Sequence, residues 1–168
     1  ESIRSFLPAI SKEWTKLSIA AVPFGQEVSV TTIQLACAYA SIANNGVMME
    51  PHIIKKITDV QGKTISEPLP KKIRVVISDK TAKRLQKLLE EVVKNGTGKA
   101  AAINKISVAG KTGTAQKIDA STRKYSEYRY VSSFIGFFPV EDPQVVIAVI
   151  IDEPKGGYWG GYIAAPVF

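Results

Sequence analysis

The chain of 168 residues has little chemistry of the kind that cysteine and histidine supply, because it contains one of each, Cys37 and His52. A single cysteine excludes an intrachain disulfide and a cysteine-based metal site. Cys37 lies in the apolar helical stretch QLACAYASIA, where free cysteine usually packs as a small apolar residue, so we predict that it is buried. His52 follows Pro51 at the start of a predicted strand, a poor context for a Ser-His-Asp triad or a zinc site. We therefore expect no metal and no cofactor.

Long hydrophobic runs are also missing. The longest, residues 145–151, is far shorter than the ~20 residues that a membrane-spanning helix needs. No signal peptide is recognisable and the sequence begins with Glu1 and Ser2, so we expect an excerpt from a longer protein. The composition, 45% hydrophobic and 22% charged, is that of one globular domain.

The net charge of +7 weakly favours an anionic partner. The basic residues are spread along the chain, with small clusters at 71–74 and 80–87, and no stripe combines them with aromatic residues. We therefore expect no nucleic-acid binding.

Capping signals predict the helices. Thr31 and Gln34 have the spacing of a capping box before an apolar helix that ends at NNG, where Gly46 suits a left-handed turn. Ser78 precedes a helix at 79–94 that NGTG terminates; its predicted apolar stripe consists of Ala82, Leu85, Leu88, Leu89, Val92 and Val93, and Lys83, Lys87 and Glu90 should face water. NGT also matches a glycosylation acceptor, although a helix-ending turn explains it better. Residues 14–22 are predicted to form a short helix.

Strand signals predict an antiparallel sheet. PHIIKKITDVQGKTISEP is typical of two strands joined at Gln61 and Gly62. Three further strands are expected at about 106–116, 129–138 and 144–152, the last two joined by a tight turn at 141–143. The strand that carries Lys111 should pair with the strand near 131–138 in this meander. The polar residues 117–129 should form the least ordered internal loop, which would border the cleft and could act as a lid. The fold class is therefore α+β, an antiparallel sheet with flanking helices.

The stretch SVAGKTGTAQK, residues 107–117, contains Gly-Lys-Thr, which also ends a phosphate-binding loop. That loop needs a glycine five residues before Gly110, where this chain has Lys105, and a helix afterwards, which the sequence does not predict. Nucleotide binding is therefore not expected.

As a strand, the same residues suit an anionic ligand. Thr112 and Thr114 lie two apart, so their hydroxyls share one face, and Lys111 adds a cation suited to a peptide carboxylate. Gly113 would let a ligand backbone approach closely, so that a peptide adds to the edge as another strand. An ordinary glycine-containing strand with an exposed lysine remains the alternative for this short motif.

Other strings occur around this strand in a specific order: GQEVSVTTIQLACAYASIANNG and GTGKAA before it, then SSFIGFFPVEDP, VIAVIIDEPKGG and GGYIAAPVF. Together they resemble the C-terminal part of the transpeptidase domain of class B penicillin-binding proteins, across almost the entire chain. The family usually has Gly at the position of Glu27 and Pro at that of Thr32. Neither departure touches the Lys-Thr-Gly strand.

The resemblance implies an incomplete serine β-lactamase/transpeptidase-like fold, in which residues 1–168 follow the part that bears the nucleophile. It implies that Lys111 and Thr114 are catalytic, Thr114 through its backbone N–H in the oxyanion hole. It also implies that Thr112, Gly113 and Thr114 bind substrate. The family's Ser-x-x-Lys motif precedes this region. The one such string here, from Ser121 to Lys124, follows the strand in a polar segment and is not expected to supply the nucleophile.

The resemblance also implies a function for the intact parent. It would be a membrane-anchored D,D-transpeptidase whose domain lies on the periplasmic or extracellular side. Its ligands would be the D-Ala-D-Ala stem peptide of peptidoglycan and β-lactam antibiotics, and it would work with other cell-wall synthesis proteins. The fragment alone should be soluble and inactive. The alternatives are a β-lactamase or β-lactam sensor domain, and a non-catalytic scaffolding module of the same fold.

Overall fold

The computed structural model of the chain describes residues 25, 28–119, 121–122 and 124–168. The helix predicted at 14–22 and the departure at Glu27 lie outside the described residues. In chain order the elements are α1 (Thr32–Ala43), β1 (Val47–Met49), β2 (Ile57–Thr58), β3 (Thr64–Ser66), β4 (Lys72–Val75), α2 (Asp79–Lys94), a 3₁₀ helix (Lys99–Ala101), β5 (Ala109–Ile118), β6 (Tyr125–Phe138), β7 (Val145–Asp152) and α3 (Gly160–Ile163).

Both predicted helix starts are confirmed. The Thr31 hydroxyl accepts the Gln34 N–H at 3.2 Å and the Gln34 amide oxygen accepts the Thr31 N–H at 2.9 Å, which completes the capping box of α1. Ser78 accepts the Thr81 N–H at 3.2 Å and so caps α2. After α1, Gly46 has φ of 89°, and a Cβ there would lie 2.1 Å from the Ile77 carbonyl oxygen, so this turn requires glycine.

The apolar stripe of α2 is confirmed in part. Ala82 and Val93 are buried, but Leu88 is 56% exposed, so its predicted burial is wrong. Gln86 is buried instead, because its side-chain amide donates to the Ile42 carbonyl at 2.8 Å and ties α2 to the end of α1. Glu90, predicted to face water, is half-buried and pairs with Lys94 at 2.7 Å.

The predicted α+β class with an antiparallel sheet is confirmed. The main sheet has the order β5-β6-β7 with both pairs antiparallel, and Phe138 opposite Val145 closes the predicted turn. β2 and β3 pair on either side of the predicted turn, and β1 pairs with β4. Aromatic side chains of β6 form the centre of the core. Phe134 packs with Val93 of α2 and Ala164 after α3, and Phe137 packs with Ala43 and Ala109.

The polar segment 117–129 differs from the predicted loop. β5 continues to Ile118, β6 begins at Tyr125, and these two residues are register partners. Polar side chains replace apolar burial there, since Arg129 pairs with Asp119 at 2.8 Å and Lys117 reaches Asp152 of β7 at 2.9 Å. The prediction of a loop over the whole segment is therefore wrong, because Lys117 and Ile118 belong to β5 and residues 125–129 belong to β6. Among the described residues, no helix is long and apolar enough to cross a membrane.

Candidate active site

The four residues predicted for the site lie together in the middle of β5. Lys111 pairs with Ile135, Gly113 with Ser133 and Thr114 with Ser132 of β6, so the predicted pairing of these strands is confirmed. Within the described part of the chain, β5 pairs with β6 alone and forms an edge of the sheet. An edge strand leaves backbone groups available to a further extended chain.

A cavity of about 580 Å³ opens beside this edge. Its walls come from three segments, the turn after α2, the middle of β5, and the start of α3. They are lined by Gly96, Thr97, Lys99, Ala100, Lys111, Thr112, Gly113, Thr114, Trp159, Gly160, Gly161 and Tyr162. All four predicted residues therefore line one concave site.

The charged residues among those that line this cavity are cationic. Lys99 and Lys111 contribute ammonium groups, and none of the described residues that line the cavity carries a carboxylate. The Lys111 ammonium donates to the Thr112 carbonyl at 3.0 Å and lies 3.3 Å from the Thr112 hydroxyl oxygen. The cavity is thus electrostatically suited to an anionic group.

The two threonine hydroxyls have fixed neighbours. The hydroxyls of Thr112 and Thr97 are 2.8 Å apart, and the Thr114 hydroxyl accepts the Gly160 N–H at 3.0 Å. Both threonines are half-buried, so each is held by the fold and still reaches the cavity. Sequence reasoning did not identify Thr97 or Gly160, although both belong to glycine-containing strings, GTGKAA and GGYIAAPVF, that carried the family resemblance.

Packing within the sheet explains why position 113 is a glycine. A Cβ there would lie 2.4 Å from the Ser133 hydroxyl oxygen on the neighbouring strand. Gly160 is equally constrained, because its Cβ would meet the Gly113 carbonyl at 2.3 Å and the Ser133 carbonyl at 2.5 Å. These glycines let α3 lie directly on β5 and β6. Close approach of a ligand to Gly113 stays a prediction.

An aromatic cluster that the sequence analysis missed stands next to the site. The rings of Tyr130 and Tyr158 stack with centroids 4.2 Å apart and planes 13° apart, and Trp159 follows at 5.1 Å from Tyr158. Trp159 is 58% exposed and lines the cavity. In the sequence, this cluster corresponds to the pair Tyr158-Trp159 between two glycine pairs. That pattern indicates an aromatic surface beside the site only when the position of the loop against β6 is known.

Ser121 is not arranged as a nucleophile. It lies in the β5–β6 turn, where its hydroxyl bonds to the carboxylate of Asp119. Mainly because of that hydrogen bond, and with help from the backbone N–H groups of Ser121 and Thr122, the pKa of Asp119 is lowered to about 2. The hydroxyl is committed to a group that remains an anion at neutral pH.

Cys37 and His52 lie away from the cavity beside β5. Cys37 is half-buried, not fully buried as predicted, because it lines a second, larger cavity of about 710 Å³ between α1, β1 and the β6–β7 turn. None of the four predicted site residues lines that cavity, so its size carries no functional argument. His52 is exposed, with a ring nitrogen 3.4 Å from the Glu50 carbonyl. Nowhere in the described ranges do three or more His, Cys, Asp or Glu side chains form a group that could hold a metal ion.

The strand-borne Lys-Thr-Gly cluster and the α+β fold have a counterpart in a known family. The family model for the penicillin binding protein transpeptidase domain matches residues 7–168. The chain therefore belongs to the penicillin-binding protein transpeptidase domain family, which confirms the resemblance stated from its motifs.

Two named relatives are similar to this chain along most of its length. The chain is similar to Stage V sporulation protein D of Bacillus subtilis, with 43% identity over 88% of this chain and 23% of the relative. It is also similar to the probable peptidoglycan D,D-transpeptidase PenA of Neisseria flavescens, with 35% identity over 94% of this chain and 36% of the relative. The chain spans about a quarter to a third of the length of these curated relatives.

A solved structure with the same fold is penicillin binding protein 3 from Mycobacterium tuberculosis, complexed with aztreonam. Its TM-score is 0.84 at 35% identity, and the match covers 98% of this chain and 38% of that chain. The same protein has been solved with ampicillin, also at a TM-score of 0.84.

Proposed function

We propose that residues 1–168 form the C-terminal part of the transpeptidase domain of a serine-type peptidoglycan D,D-transpeptidase, and that Lys111 to Thr114 form one wall of its active site. The observation that carries the proposal is the cavity beside β5, which all four residues line together with one further lysine, Lys99, and with no carboxylate from the described residues. The relatives named as peptidoglycan D,D-transpeptidases support the reaction class.

The ligand group that this wall would bind is a carboxylate. The hydroxyls of Thr112 and Thr114 would donate to the C-terminal carboxylate of a D-Ala-D-Ala stem peptide or to the equivalent group of a β-lactam, and Lys111 would add positive charge. Charge-assisted hydrogen bonds of this kind are shorter and stronger than neutral ones. The complexes of a similar protein with aztreonam and ampicillin support β-lactams as ligands.

The reaction itself needs a serine from elsewhere in the parent. Its hydroxyl would attack the penultimate D-Ala carbonyl and lose its proton to a base, and the departing D-Ala would take up a proton at its amine. The acyl group would then pass to an acceptor amine. The backbone N–H of Thr114 would be one of two oxyanion-hole donors, and loss of one such donor typically costs about 10²–10³ in rate. The parent would be membrane-anchored, with this domain on the periplasmic or extracellular side among other cell-wall synthesis proteins.

The test is the rate at which the intact parent is acylated by a fluorescent penicillin. Thr114→Val deletes the hydroxyl but keeps the branched shape and the backbone N–H. A hydrogen bond to a charged group contributes about 1.5–3 kcal/mol, so the second-order rate constant should fall by roughly 10- to 150-fold. Lys111→Ala should reduce the rate further, because it removes the charge from the same network.

The matched control is Thr114→Ser, which keeps the hydroxyl and should stay close to the parent's rate. Thermal midpoints must accompany the rates, because Thr114→Val also leaves the buried Gly160 N–H without its acceptor. Parental rates for both Lys111→Ala and Thr114→Val would refute the proposed wall and favour the scaffolding alternative.

The isolated chain offers a second, qualitative test. Without a suitable serine it should show no adduct in its intact mass after incubation with the same penicillin. A stoichiometric adduct would mean that Ser121 or another serine of this chain is the nucleophile.

A further inference from the structure

Thr97 occupies a turn whose backbone has almost no freedom. It lies between Gly96 and Gly98, and the N–H groups of both glycines donate to the Val92 carbonyl at the end of α2, at 3.1 Å and 3.0 Å. A Cβ on Gly96 would lie 2.9 Å from that carbonyl oxygen, and one on Gly98 would lie 3.1 Å from the ring of Phe134. The turn is therefore pressed against α2 on one side and the core on the other.

The far side of this turn is also fixed. A Cβ on Gly161 would lie 2.5 Å from the Thr97 carbonyl oxygen, so the start of α3 is in contact with the turn. Contacts with α2, β6 and α3 thus fix the position of the Thr97 backbone. Its hydroxyl lies 2.8 Å from that of Thr112.

The hydrogen-bond capacity of Thr112 decides the direction of that contact. A hydroxyl has one proton to donate and two lone pairs to accept. A carboxylate only accepts and an ammonium only donates, so a Thr112 that binds a carboxylate has already used its proton. The contact with Thr97 then requires Thr97 to be the donor, and the Lys111 ammonium at 3.3 Å can fill the second lone pair.

Thr114 shows the same arrangement with an unambiguous donor. Its hydroxyl oxygen accepts the Gly160 N–H at 3.0 Å, which is a donor that cannot reverse. A fixed donor on the acceptor side of each hydroxyl leaves the proton of that hydroxyl for the ligand. Thr97 and Gly160 therefore occupy equivalent positions relative to Thr112 and Thr114.

We propose that Thr97 is a positioning residue of the site: its hydroxyl donates to Thr112 and thereby directs the Thr112 proton toward the ligand carboxylate. This inference rests on the proposed function of the Lys-Thr-Gly wall. Thr97 need not touch the reacting atoms, because it acts through Thr112.

The experiment measures second-order acylation of the intact parent by a fluorescent penicillin. Thr97→Val keeps the branched shape and removes the donor, and it should lower the rate constant about 2- to 12-fold, the range for a neutral hydrogen bond. Thr97→Ser restores the donor and should return the rate to within about twofold of the parent. Thr64→Val, the same change at an exposed position in β3, is the matched control and should leave the rate unchanged.

A double-mutant cycle separates positioning from a general effect on structure. If Thr97 acts through Thr112, Thr97→Val should have no further effect in a Thr112→Val background. Thr97 is exposed, so the thermal midpoints of the Thr97 variants should stay close to the parent's. Thr97→Ala gives the same comparison with less side chain to place, should the valine variant not fold.

The outcomes distinguish this inference from the function on which it rests. A parent that is acylated, with Thr97→Val at the parental rate, overturns the positioning role alone. Additive losses in the cycle, or a serine variant as slow as the valine variant, also overturn it. A parent that is never acylated overturns the proposed function, and the positioning role falls with it.

Discussion

The β5–β6 hairpin has two ends that are stabilised in different ways. At its base, the register partners Ala109 and Phe137 are fully buried against the helices. At its tip, Ile118 is 62% and Tyr128 88% exposed, yet the strands continue to the turn. One hairpin therefore combines an apolar base with a polar tip.

The tip depends on charged and hydrogen-bonded side chains. Lys117 contacts Glu153 at 2.7 Å and Asp152 at 2.9 Å, and these hydrogen bonds, with Glu153 the larger contributor, raise the pKa of the Lys117 ammonium. Asp119 accepts from Arg129 at 2.8 Å. Ion pairs near the protein surface contribute little to stability, so the tip should tolerate substitution better than the base.

The candidate site lies between these two ends. Thr112 and Thr114 are half-buried, far enough into the base to be held by Thr97 and Gly160 and close enough to the edge to reach the cavity. A wall that must bind a ligand repeatedly in one geometry benefits from a rigid support. The difference between the ends suggests three substitutions, one at the base, one in the middle and one at the tip.

The largest effect is expected at the base. Phe137→Ala removes a fully buried ring that packs with Ala43 and Ala109, and such truncations cost about 3–5 kcal/mol of unfolding free energy. Tyr128→Ala, on the same strand but at the tip, should cost less than about 0.5 kcal/mol. Urea unfolding of both variants measures the difference, and equal costs would abolish the contrast between base and tip.

A smaller effect is expected in the middle, at Gly113. Gly113→Ala places a methyl group against the Ser133 hydroxyl, and overpacking of this kind typically costs about 1–3 kcal/mol. Ser133→Ala should restore stability in the double variant, because the Ser133 Cβ would be 3.8 Å from the new methyl group. Thermal unfolding of the single and double variants measures this.

Glycine at position 113 could be needed for packing within the sheet alone or also for the approach of a ligand. Measuring acylation of the intact parent that carries the same substitutions separates these two explanations. If the double variant regains stability but not acylation, a ligand also needs the space at Gly113. If it regains both, the glycine serves the sheet alone.

The smallest effect is expected at the tip and concerns protonation. Ser121→Ala removes the main hydrogen bond that lowers the pKa of Asp119, so that pKa should rise from about 2 toward its ordinary value of 3.8. Because the folded-state pKa is depressed, the stabilisation by this carboxylate is present above pH 3.8 and is lost as pH falls through about 2. The Ser121→Ala variant should therefore lose less stability than the parent chain as the pH falls from 3.8 to about 2.

NMR titration of the Asp119 carboxyl carbon measures the shift. Thr122→Val is the control, because it keeps the Thr122 backbone N–H that donates to Asp119 and changes only a neighbouring hydroxyl. An unchanged Asp119 titration in Ser121→Ala would assign the depression to the backbone N–H groups and to Arg129.

Sequence reasoning predicted the base of the hairpin and missed the tip for one physical reason. Apolar and β-branched residues such as those of VSSFIGFF show strand structure through their own periodicity. The strand at 125–129 is instead stabilised by partners that are distant in sequence or outside any periodic pattern, among them Asp119 for Arg129. The same limitation explains why the burial of Cys37 and Leu88 was predicted wrongly. The exposure of each side chain depends on which other parts of the fold pack against it.

For the candidate site, the sequence by itself determined the residue types and their spacing. Lys111, Thr112, Gly113 and Thr114 fall on a strand, with both hydroxyls on one face, because side chains alternate along a strand. The capping residues Thr31 and Ser78 were equally local, since each acts within three positions of the chain. Only the tertiary structure brought Thr97 to Thr112 and Gly160 to Thr114, 15 and 46 positions apart in sequence. A hydroxyl's choice among distant donors depends on packing in three dimensions, and local sequence does not encode it.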